Sequence, residues 1–133
     1  MPHMKTMVAE YAIILNEKNE FLMVKLKNHS WHFPGGRLNE CETSITALKR
    51  EVKEETNLEI TNINPIFTRC FDEGENHKYG VFFSARVKEP YTVKISDEHN
   101  DFAWFNKNQL SEIHFWQPFY KELLERYFKQ LSQ

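Results

Sequence analysis

The stretch Gly36–Leu58, GRLNECETSITALKREVKEETNL, decides how this chain is read. It opens on a glycine, passes Glu42, and enters a run that ends Arg50-Glu51-Val52-Lys53-Glu54-Glu55. The run predicts a helix over Thr43–Thr56. At about 100° per residue, with Ile45 as zero, Leu48 and Val52 fall near ~300° and ~340° and make an apolar stripe. Glu51, Glu54 and Glu55 fall near ~240°, ~180° and ~280° on the same count, so the acids border that stripe. Their i, i+3, i+4 spacing places like charges on one face, where they repel. Lys49, Arg50 and Lys53 fall between ~40° and ~140°, so the acids are expected to be segregated from the bases. A helix built only for solubility intersperses its signs to gain i,i+4 pairs. Segregated acids at a core edge point instead to a divalent cation among them. A hard cation such as Mg2+ takes oxygen ligands, keeps several waters and needs only a few protein carboxylates.

Just ahead lies Trp31-His32-Phe33-Pro34-Gly35-Gly36. Apolar residues followed by Pro-Gly-Gly read as a strand ending in a tight turn. Glycine lets a backbone carbonyl or amide approach a ligand closely. The turn can therefore aim a carbonyl at the cation that the helix glutamates face.

The pattern Gly-x5-Glu-x7-Arg-Glu-U-x-Glu-Glu-x-Gly-U, with U apolar, is the signature of the Nudix hydrolases, and this stretch resembles it. Gly36, Glu42, Arg50, Glu51, Val52, Glu54, Glu55 and Leu58 all match, and Asn57 stands where the family has glycine. The departure is mild, because the residue closing a helix is wanted in the left-handed region and Asn is the usual second choice there. The resemblance, which is MutT-like, implies an α+β fold with a mixed β-sheet sandwiched between α-helices. It implies metal binding by Glu51, Glu54 and Glu55, completed by the backbone carbonyl of Gly35. Arg50 matches the family's box arginine, which orients the acids, and a forked Arg–carboxylate contact fixes geometry well. Glu42 takes a structural or ion-pair role. Family members differ in the general base: some use a box glutamate, here Glu54, and others an acid on a loop before a late strand. Asp97-Glu98-His99-Asn100-Asp101 occupies that place, and Glu98 is the choice, set against a plain solvated loop.

Composition sets the frame for this reading. The chain has 133 residues, 41% of them hydrophobic and 14% aromatic. That length fits one domain, residues 1–133, with a real core. The net charge of −2 gives no basic footprint for nucleic acid. Cys41 and Cys70 make neither a disulfide framework nor a zinc set, which fits a reducing, cytoplasmic location. No signal-peptide pattern and no run long enough to span a bilayer is seen.

Around the box helix, Met7–Leu15 and Glu20–Leu26 read as a strand hairpin about the turn Asn16-Glu17-Lys18-Asn19. Leu58–Phe71 reads as strand-rich and Asp72–Asn76 as a turn. Lys78–Val87 follows as a strand with Tyr79, Val81 and Phe83 on one face. Glu89–Asn100 reads as loop and Asp101–Phe105 as a short strand. Pro118–Leu131 reads as an amphipathic helix whose apolar side carries Phe119, Leu123, Leu124, Tyr127, Phe128 and Leu131. His32 could reach a phosphate, but is more often a core residue at such a position. Trp31, Tyr79, Phe83 and Trp104 read as core. Phe115, Trp116 and Phe119 could support a homodimer and would equally serve as core.

The activity the resemblance implies is Mg2+-dependent (or Mn2+-dependent) cleavage of a pyrophosphate bond in a nucleoside diphosphate linked to another group. The family's marks for ADP-ribose and for diadenosine polyphosphate substrates, a proline and a tyrosine downstream of the box, are not in place. The short chain looks more like the small nucleoside triphosphate pyrophosphohydrolases. The alternatives are a hydrolase of nucleotide sugars or dinucleoside polyphosphates, a non-catalytic nucleotide-sensing module, and a structural metal-binding domain. A small-molecule substrate is expected, with no nucleic-acid or membrane partner.

Overall fold

Met7–Leu15, MVAEYAIIL, buries apolar residues on both faces, with Glu10 buried among them, and the chain builds its sheet around it. The computed structural model describes residues 2–133. The strands are β1 (Met7–Leu15), β2 (Phe21–Lys25), β3 (Trp31–His32), β4 (Gly35–Arg37), β5 (Thr61–Glu73), β6 (Asn76–Arg86) and β7 (Asp101–Phe105). The helices are α1 (Ser44–Thr56) and α2 (Phe119–Leu131), with a 3-10 turn at Lys107–Glu112. The main path through the sheet is β3-β2-β1-β6-β5, with β4 paired to β1 and β7 to β2. Strand β1 runs parallel to β6, from Met7↔Lys78 to Leu15↔Arg86. Its pairings with β2 and β4 are antiparallel.

The expected hairpin exists only at its turn. Leu15 pairs with Phe21, and then the two strands part: β1 turns to β4 while β2 pairs β3 and β7. The split opens a cleft beside β1. Strand β4 is absent from the sequence reading because Gly-Gly-Arg carries no strand propensity; it exists because it lies against β1.

Successive side chains of a strand point to opposite faces. On β1, Tyr11, Ile13 and Leu15 pack with Tyr120, Leu124 and Phe128 of α2. Ala12 and Ile14 pack with Leu48 and Val52 of α1 on the other face. The mixed sheet therefore lies between the two helices, as expected. Leu48 and Val52 are fully buried, and each contributes on the order of 2 kcal/mol by leaving water.

Three details differ from the sequence reading. Ile45 is exposed, and the buried side of α1 is Ala47, Leu48, Val52, Glu55 and Thr56, so the stripe is rotated toward Glu55. Leu131, in the last turn of α2, is exposed rather than apolar-side core. Strand β5 continues to Glu73 and β6 starts at Asn76, so the turn is shorter than Asp72–Asn76. Both faces of β6 are covered: Val81 and Phe83 face the α1 side and Phe82 the α2 side, while the Tyr79 hydroxyl donates to Thr68 Oγ1 at 2.9 Å. Phe115, Trp116 and Phe119 pack against the α2-side core. No helix among the described residues is long and apolar enough to cross a membrane.

Candidate active site

Helix α1 is fixed at both ends. Thr43 caps its start, its Oγ1 accepting the Thr46 N–H at 3.4 Å. Asn57 closes its end in the left-handed region, at φ 66° and ψ 11°, with its N–H donating to the Lys53 carbonyl. The Asn57 side chain then donates to the Thr92 carbonyl at 3.0 Å. Asn57 thus supplies a tether that glycine in its place cannot.

That tether is one of three. The last carbonyls of a helix have no partner within it. Here the Lys94 N–H donates to the Thr56 carbonyl at 3.0 Å and the Ser96 N–H to the Glu55 carbonyl at 3.1 Å. The irregular segment 87–100 is thereby laid across the end of α1. It carries Glu98 to the cleft that Glu51 and Glu55 also line.

The cleft is a cavity of about 430 Å3. Gly35, Gly36 and Arg37 of β4 form part of one wall, with Tyr11, His32 and Trp116 lining the rest near Glu73 and Lys78. Of the acids lining the cleft, Glu55 is the most enclosed, 9% exposed. Its Oε2 accepts the Gly35 N–H at 3.0 Å. Burial pushes its carboxyl up to about 8, against the help of that N–H, with Glu51, Glu98 and Glu54 adding repulsion. Burial also raises Glu51, and the Arg50 guanidinium opposes the shift.

Arg50 corrects the expectation of segregated charges. Its Nε and Nη2 donate to Glu42 Oε2 and Oε1 at 2.7 and 2.9 Å. Its Nη1 donates to Glu51 at 3.0 Å and to Glu54 at 3.2 Å. The long side chain reaches acids that the angular count of Cα positions separates from it. The guanidinium holds Glu42 below the usual carboxylate range. Arg50 does not line the cavity, and neither does Glu54, whose side chain is 60% exposed.

Two glycines shape the wall for different reasons. A Cβ on Gly35, at φ +150°, would meet the Glu10 carbonyl oxygen at 2.0 Å and Tyr11 Cα at 2.7 Å. A Cβ on Gly36 would meet Glu51 Oε2 at 2.5 Å. So Gly35 is demanded by the backbone and Gly36 by the space the Glu51 carboxylate occupies.

The donor set fits a hard divalent cation. Glu51, Glu55 and Glu98 offer carboxylate oxygens at one end of the cavity, and burial leaves Glu55 short of a counter-charge. Among the described residues no three His, Cys, Asp or Glu side chains are grouped so as to hold a metal ion by themselves.

The structure brings Gly35, Glu51, Glu55 and Glu98 to one cavity and leaves Arg50 and Glu54 outside its lining, joined to it through the bond from Arg50 to Glu51. The sequence reading had no place in the site for Tyr11, Glu73, Lys78 or Trp116. His32 belongs to the wall: it stacks on Trp116 at 4.5 Å with 15° between planes, and burial pushes it down to about 3, so it is neutral. A neutral ring is a poor phosphate anchor.

The chain resembles known proteins in sequence and in fold. The family model described as NUDIX domain matches residues 5–127. A Danio rerio protein named 8-oxo-dGDP phosphatase NUDT18 is 42% identical over 102 residues, 72% of this chain and 31% of that protein. A Proteus vulgaris protein named 8-oxo-dGTP diphosphatase is 33% identical over 87 residues, 62% of this chain and 78% of that protein. The crystal structure of a MutT protein from Methanosarcina mazei Go1 superposes with a TM-score of 0.82 at 24% identity, covering 96% of each chain. The chain spans less than a third of the zebrafish relative's length.

Proposed function

The chain belongs to the Nudix hydrolase family, and on that premise we propose that it is an Mg2+-dependent pyrophosphohydrolase of nucleoside di- or triphosphates. The observation that carries the reading is the convergence of Glu51, Glu55 and Glu98 on one cavity, with Glu55 buried and pushed up to about 8. An uncompensated acid of this kind in a cleft marks a functional site. The names of the curated relatives, an 8-oxo-dGDP phosphatase and an 8-oxo-dGTP diphosphatase, support the substrate class.

In this reading Glu51 and Glu55 hold the cation, with the Gly35 backbone beside them. Glu54 contributes from the rim, through water or through Arg50. A divalent ion held by Glu51 and Glu55 would supply charge neutralisation for the diphosphate and activation of water. Glu98, on its pinned segment, accepts a proton from the attacking water. The new P–O bond forms as the anhydride P–O bond breaks, and the leaving phosphate departs with the bridging oxygen. Arg50 acts through Glu51 and Glu54 as a positioning residue. A sensing module that has lost catalysis has no need of Glu51, Glu54 and Glu55 together, and all are present.

The test is product analysis after incubating nucleoside di- and triphosphates, their 8-oxo forms, a nucleotide sugar and a dinucleoside polyphosphate with Mg2+. Hydrolysis at an anhydride bond of the first two groups supports the proposal. Exclusive hydrolysis of either of the last two moves the substrate class. Binding without any hydrolysis favours the sensing module.

A further inference from the structure

The cavity has a second end that the hydrolytic reading does not use. Glu73 on β5 and Lys78 on β6 line it together, and their side chains form an ion pair. The Lys78 side chain is 9% exposed and that of Glu73 is 41% exposed. The ammonium is sunk in the wall and the carboxylate is open to the cavity. Beside them lie the stacked His32 and Trp116 rings.

This end is unsuited to phosphate. The Lys78 charge is met by Glu73, His32 is neutral, and four glutamates line the cavity against Arg37 and Lys78. The phosphates therefore belong at the cation end, leaving the flat aromatic wall for a planar ring. A carboxylate offers two acceptor oxygens and an ammonium offers donors. The ring edge that uses both oxygens and the ammonium has two adjacent N–H donors beside a carbonyl. Guanine has that edge in N1–H, N2–H and O6. Adenine and cytosine offer one amino donor next to a ring-nitrogen acceptor. Uracil has one N–H between two carbonyls, and one of these would face the carboxylate.

Resting on the reading of the cavity as a nucleotide hydrolase site, we propose that Glu73 and Lys78 are the base-reading pair and select guanine. Glu73 accepts from N1–H and N2–H, and Lys78 donates to O6. The same edge is present in 8-oxoguanine, so the pair reads the ring whatever the oxidation state of C8.

The experiment compares kcat/KM for GTP, ITP and ATP with Mg2+, in wild type, Glu73→Gln and Lys78→Met. ITP lacks only the N2 amino group. Wild type is expected to prefer GTP over both by roughly ten- to hundredfold, the range for a hydrogen bond to a charged group. Glu73→Gln should bring GTP down to the ITP level, mainly through KM, because the contact is equal in ground and transition states. Equal kcat/KM for the three nucleotides in wild type overturns the proposal without any variant, and leaves the hydrolase intact. Hydrolysis of none of them, nor of their diphosphates and 8-oxo forms, overturns the hydrolase reading instead. Calorimetric binding of GMP, IMP and AMP without metal then decides the pair: tighter GMP binding lost in Glu73→Gln supports it, and equal binding refutes it.

Discussion

Replacing Glu55 with Gln tests the site through stability rather than turnover. The Gln carbonyl can still accept the Gly35 N–H, so the fold keeps the 3.0 Å contact that Glu55 makes. What changes is the charge. In the metal-free protein the Glu55 carboxyl is raised from 4.5 to about 8, chiefly by burial. Between those values the folded protein holds a proton that the unfolded chain has released, so unfolding free energy falls as pH rises through the window. At 1.36 kcal/mol per unit, the full interval corresponds to roughly 5 kcal/mol, an upper bound that relaxation of the site reduces. Glu55→Gln removes this dependence. Its stability relative to wild type should therefore grow by a few kcal/mol between pH 5 and pH 8.5 without metal. Adding Mg2+ should close much of that gap, because a ligand at a hundred times its Kd stabilises the folded protein by about 2.7 kcal/mol. Urea unfolding at the two pH values, with EDTA or Mg2+, measures all of this. Parallel pH curves for the two proteins, with equal stabilisation by Mg2+, would refute the reasoning.

Four further substitutions probe the frame around that acid. Gly36→Ala meets the end of a flexible side chain, Glu51 Oε2 at 2.5 Å, so Tm should barely move while half-saturation by Mg2+ rises about tenfold or more. Gly35→Ala meets backbone at 2.0 Å and should cost at least about 3 kcal/mol in urea unfolding. Arg50→Lys loses the forked contact to Glu42; a point charge cannot replace it, and Mg2+ titration of activity should show about a 10- to 100-fold weaker site with Tm little changed. Asn57→Gly relieves the left-handed backbone but cuts the bond to Thr92. Hydrogen exchange should then be faster at the Lys94 and Ser96 amides, and unchanged exchange would count against the tether.

The legible and illegible parts of this protein divide along a physical line. Helix α1 was readable because its cap, its apolar period and its acids are local, and Thr43 and Asn57 do what their chemistry suggests. Glu51 and Glu55 were readable for the same reason. Arg50 was readable as an orienter, yet its reach to Glu51 and Glu54 escaped a count that places Cα atoms and ignores side-chain length. Strand β4 was not readable, since its pairing depends on how close Gly35 comes to β1. Glu73 and Lys78 looked like ends of a hairpin; only the sheet, which sets β6 parallel to β1, swings them to the cavity holding α1's acids. Glu98 was placed by its order before β7, but what holds it there is the pair of helix-end carbonyls of Glu55 and Thr56.

The most direct measurement is the rate of GTP hydrolysis as Mg2+ is titrated into wild type and Glu55→Gln, with folding of both followed by circular dichroism. The account predicts saturable Mg2+-dependent cleavage of an anhydride bond in wild type. It predicts a loss of at least about a hundredfold in the folded variant, since charge stabilisation by a bound metal is worth several kcal/mol in the transition state. Equal rates in the two folded proteins, or a wild-type rate indifferent to Mg2+ and EDTA, would contradict it.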